Sequence, residues 1–291
     1  MLKSLFAAAL LLTPLAAHAE AQAQDDCPTF EVEGEGPDVL LVPGLASSPQ
    51  VWDGTVAALA DRYRFHLVTV PGFAGTPVAE REGTVPEALA QRIADYAACR
   101  KLDHPAIVGH SMGGFTGLLA AREHPGRFSR VVVIDSLPFY PLVYAPEATV
   151  EVVKPRAEAI TETLRSMDDA TFAATQANGA RSLTQSEEGQ ERIVAWSLAT
   201  DRATMADAVQ ALMTTDLRPE LGRIATPVSV IYATNAYAPP ERMKALYETA
   251  YADLPDTTFT PIGDSYHFVM WDREDAFTAA LAKALEGNDG E

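Results

Sequence analysis

The stretch Ala106-Ile107-Val108-Gly109-His110-Ser111-Met112-Gly113-Gly114 decides how the rest of the chain reads. A short apolar run leads into Gly-x-Ser-x-Gly, and a helix-length segment, Met112–Glu123, follows at once. A strand, a sharp turn and a helix in that order lift the serine hydroxyl over the end of a sheet. Gly109 and Gly113 flank the bend, where a Cβ would collide with the backbone that the turn brings close. The pentapeptide alone is a weak signal. Its flanking strand and helix make it specific.

Outward from this point, short β-rich runs alternate with helix-length segments. The runs are Val39–Val42, Phe65–Val70, Ala106–Val108, Val131–Ile134, Val228–Tyr232 and Thr258–Pro261. Several are continuously apolar, the pattern of parallel strands covered on both faces. Between them, Val51–Asp61, Val85–Lys101, Met112–Glu123, Pro239–Tyr251 and Arg273–Leu285 read as crossover helices. The alternation predicts an α/β fold with a mostly parallel central sheet and helices on both faces. Such a sheet binds ligands at the carboxyl ends of its strands.

One interval breaks the rhythm. From Ile134 to Val228 no strand is readable, and helical patterns run over Ala148–Met167, Asp169–Ala177, Glu188–Ala199 and Ala203–Thr214. A structureless loop of that length is outside the usual range, so a helical cap over residues 136–225 is expected. The core would then comprise 20–135 and 226–291.

The chain has 291 residues, 47% hydrophobic and 21% charged, which excludes a disordered chain or a fibre. A net charge of −18 argues against nucleic acid and against anionic membrane surfaces as partners. Lys3, the apolar run Leu5–Leu12 and Ala17-His18-Ala19 together read as a secretory signal peptide with cleavage after Ala19. Loss of Lys3 takes the net charge to −19, and no later stretch is apolar enough for stable membrane insertion. Only two cysteines, Cys27 and Cys99, are present. In an oxidising exterior they could pair; two separate buried thiols are the alternative. Two thiols without a histidine cluster make no closed zinc site.

With these pieces in place the chain resembles the α/β-hydrolase superfamily. The likeness rests on the serine turn, on Leu40-Leu41-Val42-Pro43-Gly44-Leu45 with Trp52 beyond it, on Val70-Pro71-Gly72-Phe73-Ala74-Gly75, and on His267-Phe268-Val269-Met270-Trp271-Asp272 before the last helix. It implies an α/β-hydrolase fold and a Ser-His-acid triad. Ser111 is the nucleophile and needs a general base. Of the six histidines, His18 falls in the leader, His66 in a strand run, His104 before the nucleophile strand, His110 within the turn and His124 at a helix end. His267 occupies the position where the family keeps its base.

The acid departs from the commonest family pattern. Ala233-Thr234-Asn235-Ala236-Tyr237-Ala238, after the strand Val228–Tyr232, contains no carboxylate. The family's alternative, an acid ending the preceding strand, is supplied by Asp135, while Asn235, Glu241 and Asp264 remain open. The resemblance also implies an oxyanion hole from the backbone N–H groups of Met112 and Leu45. Phe73 and Tyr140, which follow strand ends, are expected to bind substrate. The other aromatics read chiefly as core.

These readings predict a serine hydrolase acting on small-molecule esters with no cofactor and no metal. A non-catalytic binding protein on the same fold and a cofactor-free perhydrolase are the rival readings.

Overall fold

The computed structural model describes residues 27–287. The signal-peptide reading falls outside them. Among the described residues, seven strands form one sheet in the order β1-β3-β2-β4-β5-β6-β7. They are β1 (Glu31–Gly34), β2 (Asp38–Val42), β3 (Arg64–Leu67), β4 (Ala106–His110), β5 (Val131–Ile134), β6 (Val228–Ala233) and β7 (Thr258–Ile262). β1 alone is antiparallel, pairing Glu31 with Leu67 and Gly34 with Arg64. The remaining pairs are parallel.

The apolar strands supply two cores because their side chains alternate across the sheet. Leu40, Ile107, Val131, Val133, Val230 and Tyr232 face one side. There they meet α2 (Val85–Cys99), α3 (Met112–Glu123) and α8 (Pro240–Ala250). Leu41, Val108, Val132, Ile134 and Ile231 face the other side, against α1 (Asp53–Leu59), the short α9 (Val269–Asp272) and α10 (Glu274–Glu286). A run such as Val131–Ile134 is therefore buried at every position.

Helix limits follow local chemistry. Thr84 and Glu87 form a reciprocal capping box at the start of α2. Between β5 and β6 lie α4 (Val150–Ser166), α5 (Asp169–Ala180), α6 (Glu187–Ala199) and α7 (Arg202–Thr214). Asp168, Ser186 and Asp201 cap α5, α6 and α7. α4 pairs with α7 and α5 with α6. Phe172 of α5 and Met205 of α7 are buried with Ala46, which joins these helices to the loop after β2.

Three details differ from the sequence reading. The expected strand Phe65–Val70 ends at Leu67, and Val68 hydrogen-bonds back to Leu41 before the chain turns. The expected helix from Val51 opens as a 3-10 turn over Pro49–Trp52. β1 gave no sequence signal because all four of its residues are exposed. Cys27 and Cys99 form a disulfide with Cα atoms 6.1 Å apart. No described helix is long and apolar enough to cross a membrane.

Candidate active site

Ser111 sits between β4 and α3 with φ 54° and ψ −120°, a conformation that a side chain enters only under constraint. The constraint is the tight turn. A Cβ on Gly109 would lie 2.2 Å from the Gly113 carbonyl oxygen, and one on Gly113 would lie 2.2 Å from that of Val42. Both glycines are thus fixed by the approach of backbone to backbone, as the sequence implied. The Ser111 amide donates to Ile134 O at 2.8 Å and ties the turn to the end of β5.

Asp135 follows β5 at once, also at positive φ, 46°. Its Oδ2 accepts a 2.7 Å hydrogen bond from Nδ1 of His267. Its Oδ1 accepts from the Ala233 amide at 2.9 Å and from the Tyr247 hydroxyl at 3.1 Å. Holding the Nδ1 proton on Asp135 leaves Nε2 as the basic atom of His267. The other carboxylates are placed elsewhere. Asp264 pairs with Arg273, and Glu241 is exposed in the first turn of α8. Asn235 closes its own turn, accepting from Tyr237 and Ala238 amides and donating to Ser265 O.

His267 is held from three sides. Its carbonyl accepts a 3.0 Å hydrogen bond from Nε2 of His110, whose ring lies 4.5 Å from the His267 ring. Burial pushes the His110 imidazole well below its ordinary value, and the neighbouring His267 lowers it further, so it stays neutral. The Phe268 amide donates to Leu183 O, and Asp272 accepts from Thr184, Gln185 and Tyr266. The loop carrying His267 is thereby tied to the segment joining α5 and α6.

Ser111, Asp135 and His267 line one cavity of about 530 Å³. Among the described residues, the His267 side chain bonds Asp135 through Nδ1, and Ser111 Oγ makes no hydrogen bond. Leu45 and Met112 line the same cavity, and their amides donate to no described protein acceptor. Residues of α5, α6 and α7 roof it, among them Gln176, Ile193, Met205 and Leu212. A second hollow of about 670 Å³ lies against α2 and residues 79–83, with no serine or histidine in its lining.

Of the two residues expected to bind substrate, Tyr140 lines the cavity and its hydroxyl bonds that of Tyr144. Phe73 does not. It is 1% exposed, because Pro71 and Gly72 turn the chain and drop its ring into the core beneath. Tyr247 and the bridging role of His110 were missed. The spacing of Met243 and Tyr247 on α8, continued by Tyr251 at its C-cap, marks a face turned inward, and that was the available signal for Tyr247.

Comparison with known proteins bears on the fold that carries this site. The chain is 27% identical over 219 residues to the pimeloyl-[acyl-carrier protein] methyl ester esterase of Nitrosomonas europaea, covering 71% of this chain and 80% of that one. A hydrolase from Oleispira antarctica superposes with a TM-score of 0.76 at 18% identity, covering 91% of this chain and 98% of that one. The enol-lactonase from Burkholderia xenovorans LB400 gives 0.71 at 23% identity, covering 89% and 96%. At such identities the structural likeness concerns the fold alone. A family model described as alpha/beta hydrolase fold matches residues 37–274, and the chain belongs to that family.

Proposed function

We propose that this protein is an exported serine esterase that cleaves small-molecule carboxylic esters through an acyl-enzyme. The observation that carries the reading is the 2.7 Å bond from His267 to Asp135 beside a serine held on a strained turn in the same cavity. Ser111 Oγ adds to the ester carbonyl as His267 Nε2 takes its proton. The negative oxygen of the tetrahedral intermediate is received by the Met112 and Leu45 amides, an interaction worth several kcal/mol when the donors are pre-aimed. His267 then gives the proton to the departing alcohol. Water, deprotonated by the same imidazole, attacks the acyl-serine and releases the acid. Asp135 keeps the imidazole in one tautomer and stabilises its positive form.

The names of relatives such as the Nitrosomonas europaea esterase support ester cleavage as the class of reaction. Export is supported by Lys3, the Leu5–Leu12 run and Ala17-His18-Ala19, with cleavage after Ala19, and by a disulfide suited to an oxidising compartment. The helices between β5 and β6 act as a cap over the site.

A fluorophosphonate probe tests the reading. It is expected to label the folded protein at Ser111, to leave Ser111→Ala unlabelled, and to abolish hydrolysis of a simple aryl ester. A folded parent protein that neither takes the label nor cleaves the ester overturns the reading.

A further inference from the structure

Among the described residues, the cavity around Ser111 offers no cationic side chain of lysine or arginine to a bound carboxylate. Its walls are apolar, drawn from Leu45, Ala46, Leu137, Ile193, Met205 and Leu212 among others. Its polar side chains outside the triad are neutral, including Ser136, Gln176, Ser197 and Asn235. Burial pushes the Tyr140 and Tyr247 phenols above their ordinary values, so they too stay uncharged. No lysine or arginine is among the described residues of the lining. The arginines of α6 and α7 are engaged elsewhere, Arg192 with Asp53 and Arg202 with Asp169. Arg181 and Arg242 neighbour lining residues in sequence but are exposed and do not line the cavity. The fixed negative charge inside belongs to Asp135, whose acceptor sites are turned to His267, Ala233 and Tyr247.

A substrate bearing its own carboxylate would have to leave water without a counterion. That is the costly case for a buried charge. It would also stand near Asp135, and near the oxygen that becomes negative in the transition state. A neutral ester of the same length meets none of these penalties.

We propose that the site takes uncharged esters and rejects those carrying a carboxylate within the cavity, so that a short diester is cleaved once and released as its half-ester. This rests on the reading of Ser111 as the acylating nucleophile. In that single turn, Ser111 Oγ bonds to one carbonyl carbon and methanol leaves with the proton from His267. Water then cleaves the acyl-serine, whose far end is still a neutral methyl ester. The new carboxylic acid ionises, and the product now carries the charge that the cavity disfavours. Release is favoured and return is opposed.

The test uses the intact protein with dimethyl succinate, monomethyl succinate and methyl butanoate, following methanol and acid products by NMR. The expected result is one equivalent of methanol from the diester, with monomethyl succinate accumulating. Monomethyl succinate supplied directly is expected to have a kcat/KM at least about 100-fold below that of the diester, the scale of an unpaired buried charge. Methyl butanoate, of like length and neutral, should be cleaved at a rate comparable to the diester. The ratio should persist in 0.5 M salt, because desolvation is screened little. Two equivalents of methanol without a pause, or a half-ester within about 10-fold of the diester, overturn the proposal while leaving the esterase reading intact. Collapse of the ratio in salt overturns it as well, by tracing the selectivity to surface repulsion. If the neutral esters are all untouched and the fluorophosphonate probe does not label Ser111, the underlying esterase reading falls with it.

Discussion

Asp135 occupies a backbone conformation that costs a non-glycine residue roughly 1 kcal/mol or more. Three hydrogen bonds over-determine it, from His267, the Ala233 amide and the Tyr247 hydroxyl. In Asp135→Asn the amide cannot serve all three donors and favours the wrong imidazole tautomer. We expect kcat on an aryl ester to fall roughly 1000-fold. Asn235→Ala, which disturbs a turn, should stay within a few-fold of the parent. Equal rates for Asp135→Asn and the parent would exclude Asp135 as the acid. Tyr247→Phe removes one neutral donor to a charged acceptor, so a loss of roughly 10-fold in kcat with little change in KM is expected. Ser111, His267 and Asp135 were legible as candidates because each sits at a strand end or beside a chain-local motif, with Asn235, Glu241 and Asp264 left open beside Asp135. Tyr247 was not, since its role depends on α8 folding across the end of β5, which no local pattern encodes. Phe73 was misplaced for a related reason: position after a strand does not say which way a turn throws the ring.

Among the elements, strands buried on both faces were the most readable, because each of their positions must be apolar. β1 escaped because Glu-Val-Glu-Gly carries no burial to detect and is held to β3 by its backbone. The helices between β5 and β6 were legible from their periodicity and caps, and a cap was expected of them, yet the contacts that fasten them were not. Those contacts run from Asp272 and Phe268 to Leu183, Thr184 and Gln185 across a long sequence separation. The Cys27–Cys99 bond joins the segment before β1 to the end of α2, with a sequence separation of 72. In the chain-entropy account a loop of that length contributes about 4 kcal/mol. Cys27→Ser with Cys99→Ser is therefore expected to lower the melting temperature by about 10 °C, read by calorimetry, with the catalytic rate at 25 °C retained.

For the molecule as a whole, acid should be the chief stress. His66 and His110 are buried, and burial lowers both below the ordinary histidine value of 6.5. Folded, they stay neutral where the unfolded chain would bind a proton, so stability present above pH 6.5 is lost as pH falls below it. Asp38 adds to the loss further down. Burial opposes its ionisation, but hydrogen bonds from Arg64 and His66 prevail and hold it below its ordinary 3.8. Its contribution disappears as it is protonated. Urea midpoints are expected to decline between pH 7.5 and pH 5, and to decline less in His66→Asn. A flat profile across that interval would contradict the burial of these two imidazoles.

The sheet has two margins, β1 and β7, and each is blunted differently. β7 carries Pro261, which has no amide proton to offer a newcomer. β1 is exposed throughout and presents Glu31 and Glu33. A second molecule trying to lengthen the sheet there would lay like charges side by side, so these glutamates act as gatekeepers against fibre-like stacking.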